Sequence, residues 1–223
     1  WSNPVVLNDP KLVQSYWCHP KQLQDGTIIL PAYGCYNMNT QNPQTDAFMY
    51  FSYDGGKSWS QPLLLAKGLD SMSQDEPEAV ELENGDILVV IRHANPNRAE
   101  GESLYINCGQ LIVKKTPSGW QPGEQQSTNM EFRGFPALLR TRDNILICTG
   151  SFQQYNFSID NGQTWSQTGR LMDPQYPKIN HYPVLKELSD GCIISVYHYG
   201  NHWPFPPPED EWIHATIFKV NKI

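Results

Sequence analysis

Four stretches of this chain align without a gap, and that repetition limits the fold more than any other feature. CHPKQLQDGTIILPAY starts at 18, PEAVELENGDILVVIR at 77, PALLRTRDNILICTGS at 136 and PVLKELSDGCIISVYH at 183, so the starts lie 59, 59 and 47 residues apart. In each, a short apolar segment meets Asp-Gly, Asn-Gly or Asp-Asn at one fixed place and continues into a β-rich run such as DILVVI or CIISVY. That is the signature of a hairpin closed by a tight turn. A third apolar run follows each hairpin: AFMYF, LYINCGQLIVK, QYNFS and WIHATIFKV.

A second motif recurs behind the third run. FSYDGGKSWS (51–60) and FSIDNGQTWS (157–166) share Ser52, Asp54, Gly56, Ser58 and Trp59 with Ser158, Asp160, Gly162, Thr164 and Trp165. Asp and Ser side chains bond to a turn's own backbone, Gly tolerates positive φ, and Trp supplies an apolar plate. Each copy has one carboxylate, whereas a calcium site needs six to eight oxygens, so the motif reads as a structural turn and no metal is expected. GWQP at 119–122 and WSNP at 1–4 resemble its tail.

A strand after each Trp motif makes four strands per unit, the composition of a β-propeller blade. The expected fold is all-β: one propeller domain over 1–223, with units at about 8–66, 67–122, 123–170 and 171–223. Residues 1–7, WSNPVVL, match the closing strand that the last unit lacks. If the four units close a ring, Val5-Val6-Leu7 should pair with Ile213 to Val220 in a four-bladed propeller; the competing and slightly favoured expectation is that the four units are part of a larger, six-bladed propeller, with WSNPVVL closing an earlier blade.

Composition narrows the partners. With 16 Lys and Arg against 23 Asp and Glu and no basic cluster, the chain lacks the footprint of a nucleic-acid binder. No apolar run approaches the ~18 residues of a membrane-spanning helix. The five cysteines form no Cys-x-x-Cys pair, and Cys148 and Cys192 fall in expected strands as small apolar residues. No cofactor motif is present, and oligomeric state is left open.

The repeat also supplies geometry. The residue before strand 1 and the last residue of strand 2 return to the same end of a blade, opposite the Asp-Gly turns and the Trp motifs. The pairs are Trp17 and Tyr33, Glu76 and Arg92, Phe135 and Ser151, and Tyr182 and His198. Long loops leave from the same end at 34–47, 93–104 and 199–212, carrying His93 and, in a Pro-stiffened segment, His202 and Trp203. Long loops on a rigid scaffold are where binding concentrates.

The paired motifs, DEPEAVELENGDILVVIR and HYPVLKELSDGCIISVY together resemble the sialidase (neuraminidase) superfamily in its broad BNR-repeat branch, where the Trp motif is the Asp-box. The resemblance spans essentially the whole chain. It implies a glycoside hydrolase, secreted or periplasmic, acting on an anionic glycan. Tyr182 matches the nucleophile, Glu76 the base that takes its proton, and Arg92 one of three arginines that grip a substrate carboxylate. Tyrosine is a recognised exception to the two-carboxylate scheme of glycosidases, and a phenol of pKa ~10 needs such a base.

Departures from that pattern keep other functions open. The segment that would carry the first arginine and the acid aspartate is missing. Before the second Trp motif the chain reads GSFQQYNF, where a third arginine is expected; Arg133 in FRGFP is the candidate substitute. A polysaccharide lyase or another glycosidase, drawing on Tyr33, His93, His181 and His198, is the alternative. A non-catalytic glycan-binding propeller that stacks sugars on Trp17, Phe135 and Trp203 is a third.

Overall fold

A computed structural model describes residues 3–4, 7, 14–36, 44–69, 72–95, 99, 105–130, 136–151, 154–171, 179–200 and 212–220. Arg133, Phe135, Trp203, Val5 and Val6 lie outside the described residues, as does the side chain of Trp17. The expected pairing of Val5 to Leu7 with the last strand therefore falls outside them too. The chain divides into two compact units, Trp1–Ser127 and Thr128–Ile223.

The first unit holds two antiparallel sheets. One contains β1 (Gln14–Trp17), β2 (Lys21–Gln22), β3 (Ile28–Cys35), β4 (Asp46–Ser52) and β5 (Leu63–Ala66), with β1 and β2 both paired to β3 as two parts of one broken strand. The other contains β6 (Ser73–Glu81), β7 (Ile87–Ala94), β8 (Tyr105–Thr116), β9 (Gly119–Pro122) and β10 (Gln126–Ser127), and here β9 and β10 share the outer place beside β8. The second unit holds a sheet of β11 (Ala137–Arg140), β12 (Leu146–Thr149), β13 (Gln154–Ser158) and β14 (Gly169–Arg170), and another of β15 (Ile179–Glu187), β16 (Ile193–Gly200) and β17 (Trp212–Phe218). Once β1–β2 and β9–β10 are counted as single broken strands, each sheet is an antiparallel meander of chain neighbours, the arrangement of a β-propeller blade, and the last of the four has three strands among the described residues. No α-helix occurs among the described residues, and no helix is long and apolar enough to cross a membrane.

Turn chemistry sets the hairpins. Gly26, Gly85 and Gly191 take φ of 87°, 83° and 80°, and Asn144 takes 57° at the same place in the third sheet. Each turn closes on the residue three before it: Gly26 N on Leu23 O, Gly85 N on Leu82 O, Asn144 N on Thr141 O, Gly191 N on Leu188 O.

Alternation then builds the core of each unit. In the first, Ile29, Met49 and Phe51 pack with Ala79, Ile87, Val89 and Leu111, joining its two sheets in one cluster. In the second, Ile145 and Ile147 meet Ile193 and Leu185 in the same way. A repeated polar latch accompanies this packing: Gln24 N donates to Glu81 Oε2 at 2.7 Å, and the equivalent Arg142 N donates to Glu187 Oε2 at 2.8 Å.

The two Ser-x-Asp-x-Gly loops match bond for bond. Asp54 Oδ1 accepts from Ser52 Oγ (2.9 Å) and Ser58 N (2.9 Å), and its Oδ2 from Ser58 Oγ (2.6 Å). Asp160 accepts from Ser158 Oγ (2.7 Å), Thr164 N (2.9 Å) and Thr164 Oγ1 (2.6 Å). Gly56 and Gly162, at φ 88° and 84°, donate their N–H to the Ser52 and Ser158 hydroxyls. Trp59 lies against the cluster of Leu30, Ala32 and Tyr50, and Trp165 is buried.

Candidate functional site

Within the first unit, the polarity expected from the repeat is present. Ser52 pairs with Ile28, the residue just after the hairpin turn, so the Asp54 loop and the Asp25-Gly26 turn share one end of their sheet. Arg92 stands five residues beyond Ile87 along β7. At about 3.3 Å per residue, the guanidinium's strand position is some 17 Å from the turn end of its sheet.

The ladder places the candidate pairs one step from where the spacing put them. Tyr33 pairs with Tyr16, Arg92 with Asp75, and His198 with His181. Glu76 and Tyr182 fall into bulges: the register slips between Asp75 and Glu78 in β6 and between His181 and Val184 in β15. Two residues there oppose one on the partner strand, which is how a bulge redirects side chains. Both bulges contain a proline, Pro77 and Pro183, where the missing N–H breaks no ladder bond. Glu76 and Tyr182 themselves have φ of 46° and 54°. Left-handed backbone at non-glycine residues stores strain of about 1–3 kcal/mol and clusters at functional sites.

The bulge in β6 has a direct chemical consequence. In a regular strand Asp75 and Glu76 would point to opposite faces. Here both reach the same guanidinium: Glu76 Oε2 lies 2.7 Å from Arg92 Nε, and Asp75 Oδ2 lies 3.2 Å from Arg92 NH2. The Thr45 hydroxyl donates to Asp75 Oδ1. Asp75 and Arg92 are each only 9% exposed, so the ion pairs are shielded from water. Asp75 is the residue that sequence reasoning missed; its signal was the Asp-Glu-Pro run, since a proline inside a first strand marks a bulge.

Tyr33 belongs to the same cluster. Burial, then the charges of Glu76 and Asp75, push its phenol well above the ordinary tyrosine value, which keeps it a neutral donor. Burial, then Glu78 and Glu76, likewise raise the Cys18 thiol, and burial pushes Cys108 up to about 12. All five cysteines are free thiols, and these two are too protonated to act as nucleophiles. Next to this cluster Glu78, buried, holds Lys21 Nζ at 2.5 Å and His19 Nδ1 at 3.2 Å. Among the described residues no group of three or more His, Cys, Asp or Glu is arranged to hold a metal ion.

His93 is not part of that cluster. It follows Arg92 in β7 and pairs with Gln74, whereas Arg92 pairs with Asp75, so the two side chains project from opposite faces of the sheet. On its own face His93 Nε2 lies 3.1 Å from Gln125 Nε2, which also donates to Gln74 Oε1 at 2.8 Å. In the second unit, Tyr182 is 54% exposed beside the His181–His198 pair, and His198 is partly buried. Trp17 is placed by its backbone, opposite Ala32.

No protein-family model matches the chain. No curated protein matches it either. Solved structures do. A protein of unknown function from Dyadobacter fermentans aligns over 97% of this chain and 64% of its own, with a TM-score of 0.64 and 19% identity. The NanB sialidase of Streptococcus pneumoniae aligns over 93% of this chain and 52% of its own (TM-score 0.64, 13% identity). The GH93 α-L-arabinofuranosidase of Fusarium graminearum, solved with arabinobiose, aligns over 95% and 63% (TM-score 0.57, 19% identity). The chain thus shares the fold of the sialidases and of other propeller glycosidases, and spans less than two thirds of the length of these structures.

Proposed function

We propose that this chain carries the catalytic machinery of a propeller glycoside hydrolase, with Glu76 as the base and Tyr182 as the nucleophile. The observation that supports this most is the shared backbone of the two residues. Each sits at positive φ, directly before a proline, in the bulge of the first strand of its hairpin. Strain retained at the same place in two repeats, on residues that a plain strand would hold at no cost, is accounted for by the side chains being aimed for a task.

In this reading Arg92 fixes the Glu76 carboxylate, and Asp75 balances Arg92. Their formal charges sum to −1, which favours an oxocarbenium-like transition state near the cluster. In the family scheme that the sequence resembles, a glutamate base takes the tyrosine proton, the phenolate attacks the anomeric carbon, and the leaving oxygen departs as the glycosidic bond breaks; Glu76 and Tyr182 are the residues of this chain proposed for those roles. The departing aglycone oxygen takes up one proton; water then attacks the glycosyl-tyrosine, its hydroxyl staying on the sugar and its other proton restoring the proton inventory, so that the phenol and the carboxylate are both regenerated.

One observation favours a neutral glycan over sialic acid. Arg92, the arginine assigned to a substrate carboxylate, already faces two carboxylates. An anionic sugar arriving there meets a net negative cluster. A neutral furanoside or pyranoside, as in the arabinobiose complex of the fungal neighbour, meets no such repulsion.

The test is a release assay on sialyllactose, arabino-oligosaccharides, xylo-oligosaccharides and a uronic-acid polymer, read for free sugar and for unsaturated product. Hydrolysis that is abolished by Tyr182→Phe at unchanged melting temperature, and by Glu76→Gln in protein that remains folded, is the expected result. Unsaturated product would assign a lyase instead, and turnover that survives Tyr182→Phe would remove the tyrosine mechanism.

A further inference from the structure

The face of the second sheet that carries His93 contains a cleft of about 520 Å³, lined by Met72, His93, Ile106, Asn107 and the run Gln125 to Ser127. Burial lowers the His93 pKa below the usual histidine value, and a hydrogen bond to the Asn107 backbone only partly opposes this. The ring is thus biased toward its neutral form, and none of the other described residues lining the cleft carries a formal charge.

Its polar groups are fixed. The Gln125 amide donates to Gln74 Oε1 and reaches His93 Nε2, so that Nε2 is the acceptor and the other ring nitrogen bears the proton. Gly109 is required beside them, because a Cβ there would lie 2.5 Å from the His93 ring. Gln74 is fully buried, and its Nε2 has no hydrogen-bond partner among the described residues. Gln74 stands behind the cleft lining and is tied to it through Gln125; a buried amide donor of this kind is expected to meet an acceptor oxygen. Ile106, 43% exposed, and Met72 supply an apolar wall.

We propose that this cleft is a second carbohydrate-binding site, on the face opposite Arg92, specific for an uncharged sugar unit. Amide, hydroxyl and neutral imidazole groups against an apolar wall suit a ring with hydroxyls at its edge and C–H groups on its face. With no Lys or Arg among the described lining residues, a carboxylated or sulfated sugar would be buried there without a counter-charge. The inference rests on the glycan reading above, and names for that reading a neutral sugar held away from the Asp75–Glu76–Arg92 cluster.

The experiment is calorimetric titration with xylobiose, arabinobiose, lactose and sialyllactose in a Glu76→Gln background, which silences turnover. At least one neutral disaccharide is expected to bind. Ile106→Trp, which fills the cleft from an exposed position, should weaken that binding by about tenfold or more at unchanged melting temperature. Gln125→Ala should weaken it as well. Neutral-sugar binding indifferent to Ile106→Trp, or binding of sialyllactose alone, overturns the second site and leaves the glycan reading standing. Absence of binding by all four sugars, with no release in the assay on the unmutated chain, overturns both.

Discussion

Glu76 and Tyr182 share one backbone geometry, φ 46° and φ 54°, each in the bulge just before a proline. At Tyr182 this can be tested without disturbing a core, because the side chain is 54% exposed. A β-branched residue suffers most at positive φ, and Asn or Gly least. Tyr182→Val should therefore lose about 1–2 kcal/mol in urea denaturation, whereas Tyr182→Asn and Tyr182→Gly stay near the parent. Equal stability for Val and Asn would show that the backbone is unstrained and would weaken the functional argument built on it.

Arg92 is expected to be the most sensitive charged position of the first unit. Arg92→Gln strands the shielded carboxylates of Asp75 and Glu76 and should cost about 3–5 kcal/mol. Arg92→Lys keeps the charge but loses the fork that meets two carboxylates at once, and should fall between. Adding Asp75→Asn and Glu76→Gln to Arg92→Gln should recover part of the loss, a coupling that a double-mutant cycle measures directly. Additive losses would mean that the three groups do not act as a unit.

The blades were legible because their signals are local. A turn dipeptide at one fixed place in four aligned segments, followed by β-branched runs, determines hairpins whatever the chain does elsewhere. The site was legible only in part. The spacing of 16 brought Glu76 next to Arg92, but the true ladder partner is Asp75, because one extra residue enters the strand at Pro77. The bulges of β6 and β15 fall at the same aligned position, so they leave no gap between those two copies, and only the proline inside the strand betrays them. His93 was grouped with Arg92 because both lead into the same loop, although simple alternation along β7 already separates their faces. The roles of Arg133 and Trp203 fall outside the described residues, so their place in the site remains a sequence expectation.

Stability should also depend on pH through His19. Its hydrogen bond to Glu78 raises the His19 pKa above the ordinary histidine value, against a partial lowering by burial. A group whose pKa is higher folded than unfolded binds more protons in the native state. Its contribution is complete below the unfolded pKa of ~6.5 and is lost as pH rises through the folded value. Because His19 is half exposed, the effect is screened, and about 0.2–1 kcal/mol is expected. Chemical denaturation from pH 5.5 to 8.5 should show this decline, and His19→Gln should flatten it; an unchanged slope in the variant would assign the decline elsewhere.

The two Ser-x-Asp-x-Gly loops make the opposite prediction at acid pH. The Ser58 hydroxyl and backbone N–H hold Asp54 down at about 2. At Asp160 partial burial pulls upward, but the Thr164 hydroxyl and N–H outweigh it and leave the carboxyl below its ordinary value. Groups with depressed folded pKa values stabilise above the unfolded value of ~3.9 and cease to do so as pH falls through the folded one. The Asp54 loop should therefore loosen between about pH 4 and pH 2, and the Asp160 loop should weaken in the same direction as pH falls below the ordinary carboxylate value. Asp160→Ala removes an acceptor of three hydrogen bonds and should cost on the order of 1 kcal/mol at neutral pH, by analogy with a lost helix cap; Asp54→Ala should destabilise in the same direction. Each substitution should also reduce the steepness of acid unfolding. Since Asp54 lies at the turn end of its sheet, away from Arg92, glycan turnover at neutral pH should be retained in Asp54→Ala. An Asp54→Ala protein that folds with full stability yet has lost turnover would mean that the loop serves the chemistry rather than the scaffold.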